Sequence, residues 1–219
     1  TNEKISKLLK NKKNIKLLFI DDGSTDETKQ KLFEYKKKKL NQEIKIHCHD
    51  KNYGYGRTLK NSIDLSDTDY LITYDSDCTY DYKIINTLVE KMLSRKYDII
   101  NVSYKLSNKK IKLNPIRKIL SWGGTFIYKI FFSEIINYDI KVFTCSFRIY
   151  DLKKIKDITL SSDDFNCCSE LMIKSMIKKL KIIEIPGENI GRKFGYSKMK
   201  IVKNIYNTFK TIFIIKIKG

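Results

Sequence analysis

The chain has 219 residues, the length of one domain, and its 42% hydrophobic and 12% aromatic content is enough for a core, which argues against intrinsic disorder. Its 44 Lys and Arg against 25 Asp and Glu give a formal charge of +19. That surplus favours nucleic acid, an anionic bilayer or phosphorylated substrates, unless Lys is only the default surface residue of a chain rich in Lys, Ile and Asn.

Five cysteines without metal-ligand spacing and only two histidines, His47 and His49, argue against a structural zinc site and for a reducing compartment. The adjacent Cys167 and Cys168 are expected to pack within a helix. No signal peptide is visible, and no apolar run reaches the roughly 18–20 residues of a spanning helix. The chain opens on Thr1 rather than Met and is read as a fragment.

In chain order, Lys16 to Ile20 is a short apolar run ending in Asp21-Asp22-Gly23-Ser24, the pattern of a buried strand feeding a turn. Asp26 to Lys39 reads as a helix, with Ser24 or Thr25 as its expected N-cap. Glu43 to His49 is a second strand, 53–56 a flexible turn and Arg57 to Leu65 a helix. Tyr70 to Tyr74 is a third strand ending in Asp75-Ser76-Asp77. A helix over Tyr82 to Arg95 and a strand over Tyr97 to Ser103 follow.

The second half is less regular. A basic connector over 105–112 leads to an expected helix over Ile116 to Ile136, broken at Trp122-Gly123-Gly124. Val142 to Tyr150 reads as a strand, Phe165 to Leu180 as a helix and Lys181 to Ile185 as a strand. Repeated strand–helix units with short connections predict an α/β, doubly wound, mostly parallel sheet, with ligands at strand C-termini.

Two carboxylates one residue apart after an apolar strand, Asp75 and Asp77, are hard oxygen donors suited to Mg²⁺ or Mn²⁺. Successive acids at a buried strand end, Asp21 and Asp22, exceed what a helix cap requires, although an ordinary strand-to-helix turn is the plainer alternative.

Taken together these motifs resemble family-2 glycosyltransferases. Leu18 to Asp26 is similar to that family's nucleotide-binding signature, Asn52 to Leu59 to its Asn-x-Gly-x-Gly turn, and Asp69 to Asp77 to the strand leading into its Asp-x-Asp motif. Thr1-Asn2-Glu3 resembles the end of the segment following the family's first strand, so that strand is expected to be missing. Cys145-Ser146-Phe147-Arg148, Glu184-Ile185-Pro186 and the stretch from Gly191 to Met199 resemble dolichyl- and polyprenyl-phosphate sugar synthases (dolichol-phosphate mannose synthase-like). Cys145-Ser146 departs from the usual Ser-Gly, and Thr79-Tyr80 from the Gln-His of many mannose synthases.

The resemblance implies a GT-A (Rossmann-like) fold and an inverting, metal-dependent transferase using a UDP- or GDP-sugar. The expected domain layout is 1–196 catalytic, divided into a nucleotide-sugar half over 1–104 and an acceptor half over 105–196, with a basic amphipathic segment over 197–219. Asp21 and Asp22, with Ser24 in the same turn, are expected at the base or ribose. Asp75 and Asp77 are expected on the metal, and Arg192, Lys198 and Arg148 on phosphate. The implied acceptor is a polyprenyl or dolichyl phosphate at the cytoplasmic face of a membrane. A sugar-hydroxyl acceptor, as in polysaccharide-building relatives, would need a base, for which Asp163-Asp164 is the candidate; an N-cap is its structural alternative. A catalytically silent nucleotide- or membrane-binding module is the alternative of another class.

The apolar stretch with Trp122, Phe126, Tyr128, Phe131 and Phe132 suits either a membrane interface or a core, and Tyr206 to Ile217 suits anionic headgroups. No motif or basic–aromatic alternation supports nucleic-acid binding.

Overall fold

The computed structural model describes residues 15–39, 42–107, 115–136, 140–190 and 201–218. Its first half is β1 (Leu17–Asp21), α1 (Thr28–Lys38), β2 (Ile44–Cys48), α2 (Tyr55–Leu65), β3 (Tyr70–Thr73), α3 (Ile84–Leu93) and β4 (Ile99–Ser103). The second half is α4 (Pro115–Phe131), β5 (Arg148–Asp151), the single turn α5 (Leu152–Ile155), α6 (Asn166–Ile177), β6 (Ile182–Pro186) and α7 (Ile201–Lys218).

The strands form two sheets. β1 and β2 run parallel, with Leu17 opposite Ile44 and Asp21 opposite Cys48. The second sheet has the order β3-β5-β4-β6, in which β4 and β6 are parallel and β5 is antiparallel to both neighbours. All five residues of β4 are buried because helices cover both faces. The period-two alternation of a strand sends Ile99 to the core around α6 and Ile100 and Val102 to the core under α3. The first core gathers Leu171, Met172 and Ile173 with Leu59 and Ile63; the second gathers Ile85, Leu88, Met92 and Phe147.

Four local expectations are corrected. The α4 helix runs through Gly123 and Gly124, and nothing lies within 4 Å of a Cβ added at either. Tyr128 and Phe132 bury their rings beyond them, and this packing outweighs the propensity cost of two glycines. Neither Ser24 nor Thr25 caps α1; the N–H of Thr28 goes instead to Asp26 Oδ1 at 2.9 Å. The expected helix over Phe165 to Leu180 is three residues shorter at its C-terminus, closed by a left-handed Lys179.

Strand β5 is also confined to Arg148–Asp151, whereas Val142 to Tyr150 reads as a strand in the sequence. In 140–147 side chains replace the ladder. Glu184 accepts the N–H groups of Lys141 and Val142, Asn101 donates to Val142 O, and Arg148 donates to Phe143 O. The buried backbone is therefore satisfied without a strand. Cys167 and Cys168 are fully buried in α6, as expected.

The α7 helix docks on α6 through polar groups as well as Ile212 and Ile215: Thr208 donates to Asn166 Oδ1 at 2.9 Å, and Ser162 and Thr211 share a hydrogen bond of 3.0 Å. Among the described residues no helix is long and apolar enough to cross a membrane.

Candidate active site

Strands β1 and β3 each end in an acidic turn. After β1, Asp21 turns inward and its carboxylate accepts both the N–H (3.3 Å) and the hydroxyl of Ser24. Gly23 stands between them at a φ of +70°, and a Cβ there would lie 2.2 Å from the carbonyl carbon of Lys51. Only glycine fits this left-handed, crowded position.

Asp22 reaches across to the next motif. Its Oδ1 accepts the N–H of Tyr53 at 2.9 Å and lies 2.7 Å from His49 Nδ1, its Oδ2 accepts the N–H of Gly54 at 2.9 Å, and its carbonyl accepts from Asn52 Nδ2. One carboxylate thus ties the Asp-Asp-Gly-Ser turn to the Asn-x-Gly-x-Gly turn.

After β3 the chain closes a turn in which the Cys78 N–H donates to Asp75 O at 3.2 Å, with Cys78 itself at a φ of +54°. Asp75 Oδ2 accepts from Ser146 Oγ at 2.5 Å, and Asp77 Oδ1 accepts from the N–H and hydroxyl of Thr79 at 3.0 and 2.7 Å. Ser146 is held in turn by Thr73, whose hydroxyl donates to its carbonyl. Each carboxylate is therefore oriented by a neighbour, as ligating carboxylates are in metal sites.

The donor set fits a hard cation that keeps water and substrate oxygens among its ligands. Among the described residues no group of three or more His, Cys, Asp or Glu side chains is placed to hold a metal. Asp75 and Asp77 would accordingly supply only part of such a cation's ligands.

Both turns line one cavity of about 1550 Å³, together with Tyr55, Thr58 and Phe165. Asp21, Asp22, Ser24, Asp75 and Asp77 thus line the same cavity, which also extends between the apolar side chains of β1 and β3. The rings of Tyr55 and Phe165 stack at 4.6 Å beside them.

The remaining candidates fall elsewhere. Arg148 is corrected: it is fully buried, and its guanidinium donates to Asn101 Oδ1 at 2.8 Å, Cys168 O at 2.7 Å and Phe143 O at 2.5 Å. It ties β4, α6 and the 140–147 segment together and does not face a phosphate.

Asp164 Oδ1 accepts the N–H of Asn166 at 2.8 Å at the start of α6, and its Oδ2 accepts from Asn207 of α7. Its neighbour Asp163 pairs with Lys60 at 2.9 Å and Arg57 at 3.4 Å. Arg192 and Lys198 lie outside the described residues.

Sequence reasoning missed His49, Asn61 and Ser146. The legible signal was that the chain's two histidines, His47 and His49, alternate on one face of a strand that leads into the Asn-x-Gly-x-Gly turn.

Strand–helix units with acidic turns at the ends of β1 and β3, opening on one cavity, define a GT-A-type domain. The same fold is seen in glucosyl-3-phosphoglycerate synthase from Mycobacterium tuberculosis, solved with Mn²⁺, uridine diphosphate and phosphoglyceric acid. That structure superposes with a TM-score of 0.67 at 12% identity, over 97% of this chain and 69% of the other.

The chain belongs to glycosyl transferase family 2, whose family model matches residues 2–159. It is similar to the dodecaprenyl-phosphate galacturonate synthase of Rhizobium johnstonii, 26% identical over 196 residues, covering 90% of this chain and 54% of the relative. It is also similar to a processive diacylglycerol beta-glycosyltransferase of Mycoplasma genitalium, 30% identical over 85 residues, covering 38% of this chain and 25% of the relative. The chain therefore spans between a quarter and just over half the length of these relatives.

Proposed function

We propose that this chain transfers a sugar from a UDP- or GDP-sugar to a polyprenyl or dolichyl phosphate at a membrane surface, with inversion at the anomeric carbon. The observation that carries the donor half is that Asp21, Asp22, Asp75 and Asp77, at the ends of two strands, line one cavity. Asp21 and Asp22, with Ser24, would order the loop against base and ribose. Asp75 and Asp77 would hold Mg²⁺ or Mn²⁺, whose charge offsets that of the diphosphate leaving group. Arg192 and Lys198, two of the basic residues between β6 and α7, would bind phosphate oxygens. The domain layout that goes with this reading is a catalytic unit over 1–196 and a surface-binding segment over 197–219.

Two observations favour a lipid phosphate over a sugar hydroxyl as acceptor. A phosphate oxygen is already ionised and needs positioning rather than a base. In this chain Asp164, the candidate base, is already engaged with Asn166 and Asn207. Similarity to a polyprenyl-phosphate sugar synthase also extends over 90% of the chain, against 38% for the relative named for diacylglycerol, a hydroxyl acceptor.

The membrane part of the proposal rests on α4 and α7. Phe126, Ile130 and Phe131 of α4 are exposed, as are Val202, Tyr206, Phe209, Phe213 and Ile217 of α7. The two helices meet edge-on at Phe131 and Phe209, 6.4 Å apart. Exposed Lys203, Lys210 and Lys216 accompany this apolar face, a combination suited to an anionic interface. The free cysteines accord with residence on the cytoplasmic face.

Calorimetric titration of UDP and GDP, with and without Mn²⁺, tests the donor site. One nucleotide should bind in a metal-dependent way, and Asp77→Ala should abolish that binding. No binding to a folded wild-type chain would favour a catalytically silent module instead. Wild type should turn over a polyprenyl phosphate and Asp164→Asn should leave that turnover nearly unchanged; no transfer to the lipid phosphate, with Asp164-dependent transfer to a sugar hydroxyl, would move the assignment to a hydroxyl acceptor. Flotation with phosphatidylglycerol vesicles, but not with phosphatidylcholine alone, tests the membrane face, and Phe213→Glu should weaken it.

A further inference from the structure

Behind Asp22 lies a chain of hydrogen bonds that no part of the proposed reaction uses. His49 is 5% exposed at its side chain and places Nδ1 at 2.7 Å from Asp22 Oδ1. On its far side Nε2 lies 2.8 Å from Asn61 Nδ2, and the same amide nitrogen lies 3.1 Å from His47 Nε2. The two imidazoles meet edge to face at 5.2 Å, and Tyr53 closes the other side of His49 at 5.4 Å. The four residues come from the β1 turn, β2 and α2.

The chemistry of each group dictates the next. A carboxylate only accepts, so His49 Nδ1 must carry a proton. A neutral His49 then has a bare Nε2, which requires a donor and so turns the NH₂ of Asn61 toward it. The same NH₂ offers its second hydrogen to His47, whose Nε2 must also be bare. The opposite amide orientation would put Oδ1 against both rings and require His49 to be doubly protonated.

We infer that Asn61 and His49 are positioning residues for the donor site: Asp22 sets the tautomer of His49, Asn61 holds that ring at Nε2 and sets the tautomer of His47, and His49 in return fixes the rotamer of Asp22. Asp22 in turn fixes the Tyr53-Gly54 backbone, directly before Tyr55, which lines the cavity. This inference rests on the donor reading above only for its effect on binding; the tautomers stand apart from it.

The experiment has two arms, both on the full 219-residue chain. Long-range ¹H–¹⁵N spectra at neutral pH read the tautomers directly, and with only two histidines the signals assign simply. Both rings should be protonated at Nδ1, and Asn61→Leu should release His47 to a tautomer mixture while Asp22 keeps His49 protonated at Nδ1 and the thermal melt shows a folded protein. An Nε2-protonated His49 in the wild type would overturn the inference.

The second arm is a double-mutant cycle on UDP and GDP binding with Mn²⁺. His49→Ala and Asp22→Asn should each weaken the bound nucleotide about tenfold, and the double variant should be no weaker than Asp22→Asn alone. Additive losses would mean that His49 does not act through Asp22. If the wild type binds neither nucleotide, the donor reading fails, and the tautomers alone decide whether His49 orients Asp22.

Discussion

The backbone N–H of Gly56 donates to the carbonyl of Asp163 across 2.7 Å, joining the first turn of α2 to the segment that opens α6. A Cβ on Gly56 would lie 2.4 Å from Ser162 O and 2.6 Å from Asp163 C. The second glycine of the Asn-x-Gly-x-Gly turn is thus required by the contact between the two halves of the domain. Gly56→Ala should cost about 1–3 kcal/mol by overpacking and lower the Tm by about 5 °C, measured by differential scanning calorimetry. An unchanged Tm would mean that the halves are not packed this closely.

Among the described residues Arg148 forms no salt bridge with a carboxylate; its guanidinium is met by the amide oxygen of Asn101, the carbonyls of Cys168 and Phe143 and the side chain of Tyr150. Removing it leaves Asn101 Oδ1 and two buried carbonyls short of donors. Arg148→Met should cost on the order of 3–5 kcal/mol and reduce the soluble yield, while the folded fraction keeps its nucleotide affinity. Lost affinity with unchanged stability would restore a phosphate-binding role.

Glu170 is fully buried on α6, where burial alone would push its carboxyl up. The bond from Lys174 at 2.9 Å and the N–H groups of Ser161 and Ser162 outweigh that and hold it below its ordinary 4.5. A carboxyl depressed in the folded state stabilises the protein above its unfolded value, and the contribution disappears as pH falls through the folded value. Stability measured by urea titration should therefore decline as the pH is lowered below about 4.5, and Glu170→Gln should flatten that decline. On the surface Asp67, held down to about 2 by Lys45 and Lys16, adds a loss between its ordinary 3.8 and about 2.

The five thiols divide by burial. Cys145, Cys167 and Cys168 are buried, whereas Cys48 and Cys78 are partly exposed. Burial also pushes the Cys145 thiol up to about 11, so it is protonated at neutral pH. An aromatic disulfide reagent at pH 8 should titrate two thiols rapidly and the other three only after denaturation. Fast reaction of a third would show that α6 or the 140–147 segment opens locally.

Much of the site is legible in the sequence. The apolar runs ending in Asp21-Asp22-Gly23-Ser24 and Asp75-Ser76-Asp77 mark buried strands that stop at polar turns, because strand burial is written in consecutive residues. Strand–helix alternation follows from the same local patterning. The role of Arg148 is not legible there for the complementary reason: a cation's partners are set by what folds around it, and Asn101, Phe143 and Cys168 lie on different segments of the chain. The partners of the histidines are hidden from the sequence for the same reason, since Asn61 and Asp22 reach them from a helix and another turn.

The sequence by itself determined the family, the order of strands and helices and the two acidic turns, since each is a pattern over neighbouring residues. Tertiary structure alone decided that β5 inserts antiparallel between β3 and β4, that Arg148 turns inward and that Asp164 is engaged by α7. Each of these depends on which distant donors and acceptors meet once the chain is compact, and the need to satisfy every buried polar group is settled only there.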